Sequence, residues 1–162
     1  MKIGVISDTH ISVKTDSVPE PILEAFKSVD MVIHVGDLVD LAVLKQLKKV
    51  CPDVRAVFGN MDGQEIKDKL PEKEIIKIGK FKLGVMHGWG APANLIGVLT
   101  EAFKKDKVNV IIFGHSHTPY NENKDGILFF NPGSPTDKVY APYNSYGLIE
   151  INGEIKAKII RI

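Results

Sequence analysis

The sequence predicts an α/β fold in which two mixed sheets pack face to face with helices outside. Three observations support this prediction. Apolar runs alternate with amphipathic stretches in the first part of the chain, two-residue turn signals separate apolar runs in the rest, and short polar motifs follow several of these runs. The 162 residues include 44% apolar side chains and no Ser/Pro-rich linker. We therefore expect one domain over residues 1–162.

The first third of the chain predicts a βαβαβ unit. Its strands are expected at residues 2–7, 31–35 and 54–58. The first of these runs is continuously apolar, which is typical of a central strand buried on both faces. Pro19 and Pro21 suit the first turn of a helix over about 19–29, and Asp40 can N-cap a second helix. Such a unit implies parallel strands joined by right-handed crossovers.

The remainder predicts hairpins and one further helix. Gly79-Lys80, Asp125-Gly126 and Asn152-Gly153 are two-residue turn signals. Strands are expected at residues 74–78, 81–86, 110–113, 127–130, 146–151 and 155–160. Apolar residues at helical spacing from Leu95 to Phe103 predict the helix. Antiparallel strands thus extend the sheets.

Composition excludes several classes of protein. The formal net charge is only +1, so we expect no long nucleic-acid groove, although a short oligonucleotide substrate stays open. Cys51 is the only cysteine, which excludes a disulfide framework and a thiolate metal site. The N-terminal apolar run is too short for a signal peptide or a membrane span. We expect a cytoplasmic protein without a membrane partner, and the sequence leaves open whether it forms a homo-oligomer.

Five short motifs contain four of the five histidines. They are Asp8-Thr9-His10, Gly36-Asp37, Gly59-Asn60-Met61-Asp62, His87-Gly88 and Gly114-His115-Ser116-His117. Residues just beyond the carboxyl ends of strands converge on one crevice of an open sheet, so five such motifs can build one site. Asp8 and His10 are two residues apart, and in extended backbone their side chains would point the same way and could bind one ion. The motifs together predict a site for two metal ions.

From Ser7 to about Ser134, the motifs resemble those of the calcineurin-like metallophosphoesterases. The match is to their small single-domain bacterial and archaeal phosphodiesterases, which also include the retromer small subunit. The resemblance implies a four-layer α/β/β/α sandwich. It also implies that Asp8, His10, Asp37 and His117 hold one metal, and that Asp37, Asn60, His87 and His115 hold a second, with Asp37 bridging. Imidazole, carboxylate and amide donors without sulfur suit Mn²⁺, our first choice, or Ni²⁺, Fe²⁺ or Zn²⁺, better than Ca²⁺.

The function implied is a metal-dependent phosphodiesterase. Two ions about 3.5–4 Å apart can clamp a phosphate and activate a shared water, so hydroxide attack on a small or cyclic phosphodiester is expected. Asn60 would ligate metal and donate a hydrogen bond to a phosphate oxygen. Many family members have a histidine that is proposed to protonate the leaving oxygen where this chain has Met61. Either Asp62 donates that proton here, or the preferred leaving groups need little help.

Two rival functions stay open: a phosphomonoesterase or protein phosphatase on the same site, and a protein-binding scaffold like the retromer small subunit. Three features have no ligand role in this assignment. His34 lies within a strand and is expected to be structural. Trp89 could pack or flank a substrate, and Asn131–Ser134 has the composition of a turn.

Overall fold

The computed structural model describes residues 1–12 and 16–162. In chain order the described residues form β1 (Lys2–Ile6), α1 (Glu20–Phe26), β2 (Met31–His34), α2 (Ala42–Val50), β3 (Val54–Ala56), α3 (Gln64–Lys67), β4 (Lys73–Ile78), β5 (Phe81–Met86), α4 (Leu95–Phe103), β6 (Val110–Ile112), β7 (Tyr120–Lys124), β8 (Ile127–Asn131), β9 (Ser145–Ile151) and β10 (Ile155–Arg161). No helix among these residues is long and apolar enough to cross a membrane.

The strands form two mixed sheets of five, with the orders β10-β9-β1-β2-β3 and β4-β5-β6-β8-β7. In the first sheet β1, β2 and β3 are parallel, as the βαβαβ pattern predicts. In the second, the hairpins β4–β5 and β7–β8 flank a parallel centre. Their turns are the Gly79-Lys80 and Asp125-Gly126 pairs that the sequence marks.

Three apolar cores explain the layering. The largest lies between the inner faces of the sheets, where residues such as Ile33 and Val110 are buried. Helices α1 and α2 cover the outer face of the first sheet through Phe26 and Leu47. Helix α4 covers the outer face of the second sheet through Leu99. The four-layer sandwich is therefore confirmed.

The helix boundaries differ from prediction at three places. Helix α1 ends at Phe26, since the next backbone N–H groups bond three residues back and tighten the chain into a turn. Leu41, rather than Asp40, is the N-cap of α2, although Asp40 Oδ1 accepts a hydrogen bond from the backbone N–H of Ala42 at 2.9 Å. The four-residue α3 was not predicted, because one turn is too short to show helical periodicity.

Candidate metal centre

The loops after β1, β2 and β6 bring four of the predicted ligands together. His117 Nε2 lies 3.3 Å from Asp8 Oδ1 and 3.3 Å from His10 Nε2. His10 Nε2 lies 3.6 Å from Asp37 Oδ2. These four side chains are the set that the family resemblance implies for one metal.

The other three predicted ligands continue the same cluster. His87 Nε2 lies 3.4 Å from Asp37 Oδ2 and 3.2 Å from Asn60 Oδ1, and Asn60 Oδ1 lies 2.9 Å from His115 Nδ1. Asp37 Oδ2 thus faces His10 on one side and His87 on the other, as a bridging carboxylate would. Asp8 Oδ1 is also 3.7 Å from His87 Nε2, so both carboxylates stand between the two halves of the cluster.

The backbone at these ligands is left-handed, which corrects one step of the sequence argument. Asp8, His10, Asp37, His115 and His117 have φ values of 52°, 45°, 55°, 68° and 55°. The extended backbone expected for Asp8 and His10 is therefore wrong. Non-glycine residues in this region cost free energy and concentrate at functional sites, where the surrounding structure holds them.

Two motif glycines allow the ligand loops to pack against one another. A Cβ atom at Gly114 would lie 2.1 Å from Ser7 Oγ and 2.7 Å from Asp8 Oδ2. A Cβ atom at Gly59 would lie 2.2 Å from Asp37 Oδ1. Larger residues at either position would push a ligand carboxylate out of place.

Hydrogen bonds fix the protons of two ligand imidazoles on the nitrogens that face away from the cluster. His87 Nδ1 lies 2.7 Å from the Val35 carbonyl oxygen, and His115 Nε2 lies 2.9 Å from the Gly90 carbonyl oxygen. Because a carbonyl oxygen only accepts, these nitrogens carry the N–H. In the neutral rings the other nitrogens therefore present lone pairs, and those lone pairs face the Asn60 oxygen. A cation shared between these nitrogens and the Asn60 oxygen makes the contacts favourable, as does an Asn60 amide turned so that its NH₂ group donates to them.

Asp137 does the same for a third imidazole. Its Oδ2 accepts a hydrogen bond from His117 Nδ1 at 2.5 Å, so His117 Nε2 is the ring nitrogen that faces the cluster, and it offers a lone pair only when its proton is displaced. The Asp137 carboxylate also accepts the backbone N–H groups of Val139, Tyr140 and Ala141. The sequence analysis missed Asp137. Its position three residues after the noted Asn131–Ser134 segment is the only signal that could have drawn attention to it.

The electrostatics of the cluster favour added positive charge. Hydrogen bonding to Asp8 raises the pKa of His117 to about 9, against partial burial and with help from Asp137. Burial acts to raise the pKa of Asp37, but the hydrogen bond and charge of His87, the backbone N–H of Met61 and the charge of His10 together outweigh burial and hold that pKa below its usual value. Burial acts to lower the pKa of His87, but the effects of Asp37 and Asp8 are together larger and raise that pKa above its usual value.

The donor set and its spacing fit divalent transition metals. Ligand atoms of Asp8, His10 and His117, and those of Asp8, Asp37 and His87, lie within 4.8 Å of one another. Ligands bound to one ion at 2.0–2.2 Å are about 3–3.5 Å apart, close to the separations seen here. The cluster contains imidazoles and two carboxylates but no sulfur ligand, which is the donor set of a site for such metals.

Asp62 is buried, and its carboxylate accepts hydrogen bonds from the backbone of the loops that carry Asp37 and Asn60. Its Oδ2 accepts the backbone N–H groups of Asp37 at 2.9 Å and Gly59 at 2.8 Å, and its Oδ1 accepts that of Val39 at 2.8 Å. The carboxylate is occupied as an acceptor on both oxygens and is 2% exposed. Such a group shapes the loop that carries Asp37 and is badly placed to protonate a leaving oxygen.

His34 supports the first ligand loop from below. It is fully buried, and its Nδ1 accepts the backbone N–H of Gly36 at 3.2 Å. Its Nε2–H must then donate to Thr9 Oγ1 at 3.1 Å. Burial lowers the pKa of His34 to about 3, so the ring is neutral. This position agrees with the structural role expected for His34.

The Asn131–Ser134 segment ties the ligand loops together. Asn131 Nδ2 donates to the Gly114 carbonyl at 2.9 Å, and Ser134 Oγ donates to the Asp8 carbonyl at 2.7 Å. Its role, left open by the sequence, is therefore to hold the backbone of two motifs. Trp89 is half-exposed and lines a small groove beside Asn60 and His87 rather than packing into a core.

Comparison with known proteins agrees with this geometry. The family model of the calcineurin-like phosphoesterase superfamily domain matches residues 1–154. The chain is 39% identical to a probable metallophosphoesterase of Methanocaldococcus jannaschii, over 100% of this chain and 82% of that protein. It is 34% identical to a phosphodiesterase of the same organism, over 82% and 83% of the two chains.

Among solved structures, Vps29 of Entamoeba histolytica complexed with Zn²⁺ is similar, with a TM-score of 0.76 and 28% identity over 99% of both chains. Together with the family match over most of the sequence, these likenesses establish that the chain belongs to the calcineurin-like phosphoesterase superfamily.

Proposed function

We propose that this protein is a phosphodiesterase that holds two divalent metal ions, Mn²⁺ in the first place, and hydrolyses a small phosphodiester. The observation that carries this proposal is the outward hydrogen bonding of three imidazoles, which turns their other ring nitrogens inward: His117 towards Asp8, His87 towards Asp37, and His115 towards Asn60. We assign the ligands as the family resemblance implies: Asp8, His10, Asp37 and His117 to one ion, and Asp37, Asn60, His87 and His115 to the other.

When bound, the ions would neutralise phosphate charge and make water a nucleophile near neutral pH. The chain's own residues orient the reactants. Asn60 is exposed at the cluster and can reach both an ion and a phosphate oxygen. With the Asp62 carboxylate held by backbone N–H groups and Met61 unable to transfer a proton, the motif supplies no acid for the leaving group. We therefore propose that acidic leaving groups are preferred.

The charge around the cluster favours diesters over monoesters. A central groove of about 460 Å³ lies over the cluster and is lined by Asp37, Asn60, Met61, Pro92 and Tyr140, together with three of the histidines and Ser116. Among the residues described there, none is a lysine or arginine. A doubly charged monoester would find no lysine or arginine there to offset its second charge, whereas a diester carries one charge only.

The similarity to a phosphodiesterase supports this proposal. The similarity to Vps29 leaves a second candidate function, that of a protein-binding scaffold. The second candidate is favoured by exposed apolar side chains in the loops around the cluster: Val39, Met61, Trp89, Val139 and Tyr140. Such exposed groups can mark a partner surface as well as a substrate site.

Metal reconstitution separates the two candidates. The protein is stripped with chelator, dialysed, and assayed with bis(p-nitrophenyl) phosphate and p-nitrophenyl phosphate before and after addition of Mn²⁺, Ni²⁺, Fe²⁺ or Zn²⁺. We expect two bound ions per chain, recovery of hydrolysis, and faster turnover of the diester. Faster turnover of the monoester would favour the monoesterase, and inactivity with all four metals would favour the scaffold.

A further inference from the structure

A second groove opens beside the central groove. This side groove, of about 620 Å³, is lined by Ile11, Pro19, Pro135 and Asn144 among others. His10, His117 and Tyr140 line both grooves. Each volume falls in the range of about 300–1,000 Å³ that is usual for small-molecule sites. Two spaces thus meet at the same edge of the metal cluster.

Tyr140 is the aromatic side chain at this junction. It is 76% exposed, and its ring stands edge-on to His117, with 6.1 Å between centroids and 76° between planes. The Asp137 carboxylate accepts its backbone N–H at 3.2 Å, which anchors the residue to the same group that holds His117. Tyr140 therefore presents an apolar face to both grooves from an anchored backbone.

The charges of the side groove indicate what it can hold. Apart from the two histidines of the cluster, its charged lining residues are Asp16, Asp137 and Lys138, so two acidic side chains face one lysine in the described lining. A second phosphate would be poorly compensated there. An uncharged organic group with an aromatic or apolar surface suits the groove better, since aromatic rings pack favourably edge-on or offset.

We propose that the substrate is an acyclic phosphodiester with two uncharged organic arms, and that Tyr140 packs against an aromatic or apolar group of the arm in the side groove. This inference rests on the proposed phosphodiesterase function. A diester has two arms to place in two grooves, whereas a monoester has one. A cyclic diester carries both ester oxygens in one ring and would leave one groove empty.

Binding tests the side groove without requiring turnover. Diphenyl phosphate and dimethyl phosphate are titrated calorimetrically into the Mn²⁺-loaded full chain. We expect diphenyl phosphate to bind about 10-fold more tightly or better, because its rings remove more apolar surface from water. Tyr140→Ala should weaken diphenyl phosphate about 3- to 10-fold and leave dimethyl phosphate unchanged. Tyr140→Phe, which keeps the ring, should bind like the parent protein.

Val139→Ala is the matched control, since Val139 is 78% exposed in the same loop and does not line either groove. Equal affinity for the two phosphates, or an equal loss in Tyr140→Ala and Val139→Ala, would overturn the inference. Metal content per chain is measured in each variant, so that loss of an ion is not taken for loss of the arm contact.

Turnover measurements separate the arm-binding inference from the phosphodiesterase function on which it rests. Phenyl p-nitrophenyl phosphate and methyl p-nitrophenyl phosphate share a leaving group and differ in the other arm. We expect a higher kcat/KM for the phenyl arm, and Tyr140→Ala should remove that difference. Faster hydrolysis of a cyclic diester than of either acyclic one would overturn the acyclic assignment. Tyr140-dependent binding without any turnover would refute the phosphodiesterase function while leaving the arm site standing.

Discussion

His34 should lower the free energy of unfolding as the pH falls, and the substitution His34→Gln should remove this effect. The pKa of His34 falls from 6.5 to about 3 because the ring is fully buried. The unfolded chain therefore binds a proton between these pH values that the folded chain does not. The stabilising contribution is complete above pH 6.5 and is lost progressively as the pH falls towards 3.

The magnitude follows from the two pKa values. At 1.36 kcal/mol per pH unit, the full effect is on the order of 5 kcal/mol, and about 2 kcal/mol of it is lost between pH 7.5 and pH 5. His34→Gln removes the titrating group, so its free energy of unfolding should fall less on acidification than that of the parent protein, by about 2 kcal/mol. Contributions of the other histidines cancel in this comparison.

Urea denaturation of metal-free protein at pH 7.5 and pH 5 measures the difference. Thr9→Val is the control, because it removes the hydroxyl that His34 Nε2 contacts at 3.1 Å while keeping the imidazole. That variant should be less stable at both pH values and retain the parent acid dependence. If His34→Gln lost as much stability on acidification as the parent, the neutral buried imidazole would be the wrong description.

Four further outcomes are expected. Asp37→Asn removes the charge that both halves of the cluster face. Metal affinity and turnover should each fall by more than about 100-fold, which is the upper end of the loss seen when a group that only hydrogen-bonds to a metal ligand is removed. Near-normal turnover at saturating Mn²⁺ would contradict a two-metal site. Asp137→Asn should weaken Mn²⁺ about 10- to 100-fold in chelator competition, with the exposed Asp68→Asn unchanged. Gly114→Ala should cost about 1–3 kcal/mol in urea denaturation through its clash with the first ligand loop; an unchanged midpoint would argue against that packing. Met61→His should make the rate depend less on the acidity of the leaving group, and the rate with poor leaving groups should rise by up to the 10²–10⁴-fold that is typical of a general acid. If the rate of the parent enzyme does not depend on the leaving group, although the chemical step limits that rate, the acid lies elsewhere.

The sequence predicted the layers and the convergence of the motifs because both depend on local patterns. A buried strand is an apolar run, and a polar motif that contains glycine marks where that run ends. The order of such motifs places their residues at one edge of the sheets. His87 and Asp37, 50 positions apart in the chain, come within 3.4 Å of each other for this reason.

The directions of individual side chains could not be predicted in the same way. Asp62 lies two residues from Asn60, yet its carboxylate turns to the backbone of Asp37 and Gly59. Asp137 does not directly follow a strand, and its hydrogen bond with His117 forms only because two loops that are distant in sequence meet in the fold. Side-chain direction depends on the φ and ψ angles of each loop, and at Asp8 and His10 those angles left the extended region that the spacing argument assumed.

The same departures carry a cost that the surrounding structure offsets. Left-handed residues are costly, and lone pairs that face one another are costly as well. The structure offsets both costs with contacts outside the cluster: the Val35 and Gly90 carbonyls and the Asp137 carboxylate hold three imidazoles, and Asp62 holds the Asp37 loop. Folding therefore meets the cost of arranging the ligands. Side chains held in this way by their neighbours have the fixed geometry that a metal site requires.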